Sequence, residues 1–442
     1  MKLSRITVGI VTGFLVLVAC CYRLKAQESS ESSTSAADSN NAAKIDALQK
    51  ELEAIQAQID QLKRQQGQKQ AATAANPPEA PAAEGTSPEP GQKESLAETL
   101  FNSTSITGSV DGYYGLDFNH PADRQAGLRV FDNYTDQFSL NLAEVVIKRS
   151  PDADTRLGYN LTFGYGNAIN VVNSSEPVAG PFFDRNVVQA YASYLVPIGK
   201  GLQLDFGKFV TPAGAEVIET APNWDYSRGI LFGYAIPFYH FGLRAAYAFN
   251  PKVTLTGYLV NGWNDIVAPN TGKTYGFSLA WAPSPKVSVA QNYLAGPQMA
   301  NTNSHWRHLT DTVVQLNVTP KLSLLENFDW GGGDMVPGAA NSVHWTGFAT
   351  YAHYAFNNQY AFTVRYEYYD DHDGFTTGTA QHINEYTLTI ERTFAHHLIS
   401  RLEFRRDMSN APFFPRGASE LSKNQNTLDI GMVYVFDIHA AR

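Results

Sequence analysis

Between Ser105 and Asp437 the chain is made of runs in which apolar and polar residues alternate with a period of two. In the first run Ile106, Val110, Tyr114, Leu116 and Phe118 share one parity, while Thr107, Ser109, Asp111, Tyr113 and Asp117 share the other. Such alternation predicts strands with one apolar and one polar face. The pattern recurs with Leu157, Tyr159, Leu161, Phe163 and Tyr165 against Arg156, Asn160 and Thr162. It recurs again with Tyr360, Phe362, Val364, Tyr366 and Tyr368 against Thr363, Arg365 and Glu367. One run is not clean: Phe138, Leu140 and Leu142 change phase to Val145 and Ile147, which points to a bulge or a misplaced register.

The connectors alternate too. Short ones (Ser150–Thr155, Pro197–Lys200, Asn250–Lys252, Ala282–Lys286, Thr319–Lys321, Asn357–Gln359 and Ala395–His397) separate long ones rich in Gly and Asn. The long ones are Asn119–Gln137, Asn167–Arg185, Thr211–Tyr239, Asn261–Gly272, Gly296–His305, Gly331–Ser342, Asp370–His382 and Met408–Asn426. Eight long and seven short connectors in strict alternation predict an all-β membrane protein. Its architecture is an antiparallel up-and-down transmembrane β-barrel of about 16 strands, with tight periplasmic turns, long external loops and periplasmic barrel termini.

Lipid decides which face is which. An Arg or Lys pointing into lipid costs about 2–4 kcal/mol at the midplane, so the parity carrying ionic residues faces inward. Its candidates are Asp111, Arg156, Asp205, Arg244, Arg365, Glu367, Glu391, Arg401, Glu403 and Arg405 as lining of a wet pore.

Composition agrees with that assignment. Charged residues are 17% of the chain, below the roughly 25% of soluble domains, and aromatics are 12%. A net charge of −9 with no basic stretch argues against nucleic acid as a partner. Residues 1–26 read as an export signal: Lys2 and Arg5, then the apolar run Ile6–Ala19. Cleavage after Ala26 is the favoured reading, with lipidation at Cys20 in the lipobox-like Leu17–Cys20 as the other. Both cysteines lie in this region, which leaves no disulfide for the barrel.

Residues 27–42 are Ser-rich and read as disordered. Over residues 43–65, Ile45, Leu48, Leu52, Ile55, Ile59 and Leu62 recur at intervals of three and four, the spacing of a short coiled-coil helix. The mixture of Ile and Leu at both seam positions leans towards trimers or higher and away from dimers, and a homotrimer is expected. Residues 66–96 form an Ala/Pro-rich linker that reads as a semi-rigid spacer, and residues 97–442 form the barrel domain.

The longest connector, Thr211–Tyr239, holds Glu216, Glu219, Asp225 and Arg228 among Ile218, Trp224, Ile230, Leu231, Phe232 and Ile236. So apolar a loop needs partners for its backbone, which the inner wall supplies. This third external loop is therefore expected to fold inward and narrow the pore, with those four charged residues at the constriction. Inward acids outnumber inward bases, which implies a weak preference for cations. Tyr113, Tyr191, Tyr258 and Tyr369 are candidate pore aromatics.

The run GKFVTPAGAEVIET (Gly207–Thr220), then Asn223 and PFYHFGLR (Pro237–Arg244), resembles the β-barrel porin-2 family of Gram-negative outer membranes. RYEYYDD (Arg365–Asp371) and LEFRRDMS (Leu402–Ser409) are similar to that family's late strands. The resemblance spans roughly Ser105–Asp437 and implies a pore, without naming its solute. The chain departs from common porin practice by running past Phe436 to a polar tail, Asp437–Arg442.

Other constellations are weaker. Asp370, Asp371, His372 and Asp373 crowd one loop and read as a solvated loop before a divalent-cation site. Gly331–Asp334 reads as a loop with no helix after it, a poor phosphate cradle. HExxH, GxSxG and CxxC patterns are missing, so neither an enzyme nor a cofactor or metal is expected. The leading reading is a porin in outer-membrane lipid passing small hydrophilic solutes by passive diffusion. The alternative is a structural anchor tethering the envelope through its periplasmic coiled coil.

Overall fold

The computed structural model describes residues 103–176, 185–335, 342–394 and 397–439. The expected signal, coiled coil (Ile45, Leu48, Leu52, Ile55, Ile59, Leu62) and linker lie outside the described residues.

Sixteen strands close into one antiparallel barrel. They are β1 (Ser105–Asp117), β2 (Gln137–Arg149), β3 (Leu157–Tyr165), β4 (Val187–Val196), β5 (Leu202–Val210), β6 (Tyr239–Asn250), β7 (Val253–Val260) and β8 (Thr274–Ser284). They continue with β9 (Val287–Pro297), β10 (Trp306–Asn317), β11 (Leu322–Gly333), β12 (Val343–Ala355), β13 (Tyr360–Asp371), β14 (Gln381–Phe394), β15 (Leu398–Ser409) and β18 (Asn424–His439). The small strands β16 (Phe414–Arg416) and β17 (Glu420–Ser422) form a ribbon within the last long connector. The second long connector carries a short helix, α1 (Asn167–Val172), and the third a π-helical turn over Leu231–Ala235. The barrel closes where β18 pairs with β1, Ser105 lying opposite His439. Closure removes the exposed sheet edge that hydrocarbon could not satisfy.

The two faces follow the sequence parity. Val110, Tyr114, Leu161, Val364, Leu402 and Phe404 point outward and are exposed, whereas Asp111, Thr162, Thr363 and Glu403 on the opposite parity are buried inside. Outward aromatics gather at both rims. Phe118, Phe138, Tyr275 and Trp306 stand at the long-connector end, and Tyr194, Phe249, Trp281 and Phe356 at the short-turn end. This is the girdle arrangement of a membrane barrel.

Three local expectations change. The phase slip in β2 falls at Asn141, one residue before Leu142: the pairing with β1 shifts between Asp111 and Gly112. Leu142 therefore turns inward and is fully buried, while Phe138 and Leu140 stay outside. Gly331–Gly333 is the end of β11 and not a loop. A Cβ at Gly331 would sit 2.2 Å from the Trp345 ring, so glycine there makes room for that indole. The last strand runs on past Phe436, whose ring covers Gly108 so closely that a Cβ on Gly108 would meet it at 2.4 Å.

Candidate functional site: the inner wall and the third long connector

The inner wall divides into two sectors. In the first, strands β11 to β15, β18 and β1 hold the third long connector, residues 211–238, against themselves. Its backbone N–H groups are taken up by wall carboxylates. Glu403 accepts from Tyr226 N at 2.6 Å and Ser227 N at 3.2 Å, and Glu367 from Ile230 N at 2.6 Å and Leu231 N at 3.3 Å. Its carbonyls are taken up by wall arginines. Arg401 donates to Thr220 O at 2.8 Å and Asp225 O at 2.9 Å, Arg405 to Arg228 O at 2.8 Å, and Arg365 to Ser227 O at 2.8 Å. A segment without a sheet ladder has its polar backbone satisfied by side chains instead.

The connector's own charges complete this lattice. Glu216 receives Arg365 Nη1 at 2.9 Å and Gly229 N at 2.7 Å. Asp225 accepts from Thr389 Oγ1 at 2.6 Å and lies 3.7 Å from Arg365. Arg228 donates to the carbonyls of Val217, Tyr226 and Ile218 at 2.8, 2.6 and 2.6 Å, which ties the segment to itself. All three residues are buried. Glu219 differs: it is partly exposed, and its carboxylate has no hydrogen bond or ion pair among the described residues. Asp111, across the barrel seam on β1, accepts from Tyr226 Oη at 2.7 Å, Asn141 Nδ2 at 2.6 Å and Thr220 Oγ1.

The start of the connector is fastened separately. Asn292 donates to Pro212 O at 3.1 Å, and Ala215 N donates to Asn327 Oδ1 at 3.0 Å. Both amides also donate to Asp311, whose register partner Asp329 is equally buried. The apolar side chains of the connector supply the rest. Ile218, Ile230, Leu231, Phe232, Ile236 and Phe238 pack with Phe131 of the first long connector, Ile169 and Val172 of α1, and Trp345, Tyr351 and Tyr369 of the wall. Burying one such side chain contributes about 1.5–3 kcal/mol. Part of the interior is thus a packed core, where the sequence pattern predicts a wet wall throughout. Tyr369 is buried in this packing and Tyr113 in a smaller cluster with Tyr226 and Val433, so neither is an open pore aromatic.

The second sector, β3 to β9, keeps a partly exposed inner face, with Gln189, Tyr191, Arg244, Thr256 and Tyr258 in contact with solvent. Asp205 lies beneath Arg244, accepting Arg244 Nε at 2.6 Å, Ser193 Oγ at 2.5 Å and Gln203 Nε2 at 2.9 Å. The Arg244 guanidinium sits 4.9 Å from the Tyr191 ring centre and 4.7 Å from that of Phe209. Of the other expected lining residues, Glu391 pairs with Arg401 at 2.8 Å, and its side chain is 19% exposed. Arg156 lies in the turn ahead of β3 and donates to Leu195 O at 3.3 Å.

Some anchoring residues escape the sequence reading. Glu385 pairs with Arg365 at 3.2 Å and Arg405 at 3.4 Å. It shares the inward parity of Glu391 on β14, so alternation could have found it. Arg129 and Lys208 had no such signal. Arg129, in an irregular connector, pairs with Asp132 at 2.8 Å and Asp429 at 2.9 Å. Lys208 pairs with Glu176 of the second long connector at 3.2 Å.

Two metal-like clusters resolve otherwise. Oxygens of Asp132, Glu403 and Asp429 lie within 4.8 Å of one another, and the Arg129 guanidinium stands among them. In the Asp370–Asp373 cluster, Asp371 is buried and caps the turn, accepting from Phe375, Thr376 and Thr377 N at 2.9, 3.0 and 2.7 Å. Asp373 turns to His344 at 3.2 Å. In the fourth long connector, burial pushes the Asp265 carboxyl up to about 6, against the opposing pull of Arg307.

Comparison with known proteins follows the same line. A family model described as "Putative beta-barrel porin-2, OmpL-like" matches residues 103–436. None of the curated proteins matches the chain. Among solved structures, the anion-selective porin from Comamonas acidovorans is 10% identical and covers 76% of this chain and 99% of its own, with a TM-score of 0.54. The outer membrane channel DcaP of Acinetobacter baumannii is 11% identical over 75% of this chain and 97% of its own, with a TM-score of 0.52. OmpT of Vibrio cholerae, in its trimer form, is 11% identical over 75% and 99%, with a TM-score of 0.50. At such identities the likeness is one of fold.

Proposed function

Because the chain belongs to this β-barrel porin-2 family, we propose that it forms a water-filled channel of the bacterial outer membrane for passive diffusion of small hydrophilic solutes. In this reading the third long connector is the constriction: it takes up one side of the lumen and leaves solutes the side lined by β3 to β9. The observation that carries the reading is the contrast in exposure between buried Arg365, Glu403 and Arg405 under the connector and partly exposed Gln189, Tyr191, Arg244 and Tyr258 opposite. A loop held by charge-assisted hydrogen bonds from several strands is rigid enough to set a pore diameter. Glu219, with Val217 and Pro222, is then the part of the connector that meets the solute, while Glu216, Asp225 and Arg228 hold its shape.

The barrel termini belong on the periplasmic side, the side of the short turns in this architecture. A homotrimer is the assembly that fits best, with the heptads of residues 43–65 helping to secure it.

One observation favours a second reading. The packed cluster around Phe131, Phe232, Trp345 and Tyr369 fills interior space, as it would in an anchor whose barrel is plugged and whose periplasmic segment tethers the envelope. Reconstitution separates the two. A channel gives stepwise KCl conductance in planar bilayers and lets sugars and amino acids swell proteoliposomes, in an order set by solute size. Folded protein that inserts without conductance or swelling would make the anchor the function.

A further inference from the structure

Resting on the channel reading, we propose that Arg244, with Tyr191, forms a subsite for small carboxylate solutes that carry a flat or apolar face. The starting point is how the inward arginines are used. Arg365, Arg401 and Arg405 are almost fully buried, and their guanidinium groups are occupied by loop carbonyls and wall carboxylates. Arg244 commits only Nε, to Asp205 at 2.6 Å, and 22% of its side chain remains exposed. Its Nη1 and Nη2 have no hydrogen-bond partner among the described residues.

Its surroundings present donors and one partly exposed ring, that of Tyr191, over a fully buried Phe209. The Arg244 carbon Cζ is 4.9 Å from the Tyr191 ring centre and 4.7 Å from that of Phe209. Such cation–π contacts hold the guanidinium without using up its N–H fork. Asn160 Nδ2 donates to Tyr191 Oη at 3.4 Å, so the phenol accepts there and its own hydrogen remains to be given. Asp205, the acid paired with Arg244, is 1% exposed and already accepts from Arg244, Ser193 and Gln203, so it offers an arriving solute nothing.

A surface made of guanidinium N–H, phenol O–H and the Tyr191 ring matches a carboxylate through charge-assisted hydrogen bonds, and an apolar body through contact with that ring. Asp205 also limits affinity. It cancels the charge of Arg244 in the ground state, so the attraction is short-ranged and directional. That is what transit needs, since a solute must bind well enough to enter and weakly enough to leave.

The test is single-channel recording of the full-length protein in KCl, with benzoate as probe and benzyl alcohol as its uncharged counterpart. Each variant's own KCl current is its reference. Benzoate at millimolar concentration is expected to lower the open-channel current, whereas benzyl alcohol at the same concentration leaves it unchanged. Arg244→Lys keeps a charge on Asp205 but loses the planar fork, and should raise the half-blocking concentration about tenfold, the effect of losing one charge-assisted hydrogen bond. Tyr191→Phe keeps the ring and loses the hydroxyl, and should also raise it about tenfold, since a phenol hydrogen bond to a carboxylate is charge-assisted too.

Equal block by benzoate and benzyl alcohol, or block that Arg244→Lys and Tyr191→Phe both leave unaltered, would overturn the subsite while KCl conductance left the channel standing. Loss of KCl conductance in the unaltered protein would instead overturn the channel reading itself.

Discussion

The wall of β13 to β15 and the wall of β4 to β7 are built on the same alternation, yet they use polar residues in opposite ways. On the first, Arg365, Glu367, Glu385, Arg401, Glu403 and Arg405 point inward and none of them is left to water. They serve as fasteners for the third long connector. On the second, Lys208 is buried against Glu176 near the rim, while Arg244 over Asp205, Tyr191 and Tyr258 stand partly in the open. An inward charge is therefore no measure of pore chemistry by itself. What counts is whether a loop or a solute is its partner.

The contrast can be broken most forcefully on the fastening side. Removing one member of a buried, hydrogen-bonded ion pair costs about 3–5 kcal/mol, because the partner charge stays behind unpaired. Arg365→Ala strands Glu216, Asp225 and Glu385 together. The variant is expected to unfold at a clearly lower denaturant concentration, and the barrels that do assemble should show larger and noisier conductance as the connector loosens. Stability and current noise both equal to wild type would remove Arg365 from the fastening role.

A smaller effect separates the faces. Val364→Arg places a guanidinium on the exposed outer surface and should cost on the order of 2–4 kcal/mol if it lies near the midplane. Thr256→Arg, on the open inner sector, should leave stability nearly intact and lower the conductance. Refolding yield into detergent or liposomes, followed by urea titration, reads both. Comparable destabilisation of the two variants would mean that the β7 face is not open.

The smallest change concerns selectivity. Because Glu216 is engaged by Arg365 and Gly229 N, only Glu219 of that pair can act on passing ions. Glu219→Gln should shift the zero-current potential in a KCl gradient by a few millivolts away from cation preference. The shift should fade at high salt, where the screening length falls to about 3 Å. A full effect from Glu216→Gln, with none from Glu219→Gln, would reverse their roles.

Much of the barrel was legible in the chain. The alternation and the connectors gave the sixteen strands, the faces of the cleanest runs and an irregularity in β2, since lipid on one side and polar groups on the other leave few registers to choose from. Misjudged places were those where parity says nothing about partners. Gly331–Gly333 looked like a loop because glycine is uncommon in strands, yet they end β11, and Gly331 makes room for the Trp345 ring. Leu142 looked outward because it continued a phase that Asn141 had already broken.

By itself, the sequence determined that this protein closes an antiparallel barrel, which residues face lipid, and that the inner wall is polar. Those properties are local: they depend on side chains two residues apart and on what hydrocarbon will accept. Only the tertiary structure decided what the polar wall is for. Glu216 meets Arg365 across 149 positions of sequence, and Tyr226 N meets Glu403 across 177. A buried carboxylate needs a guanidinium or a backbone N–H for its oxygens, and whether one arrives depends on how the third long connector folds back. Period-two spacing carries no record of that fold, so the division of the lumen into a fastened side and an open side belongs to the three-dimensional structure alone.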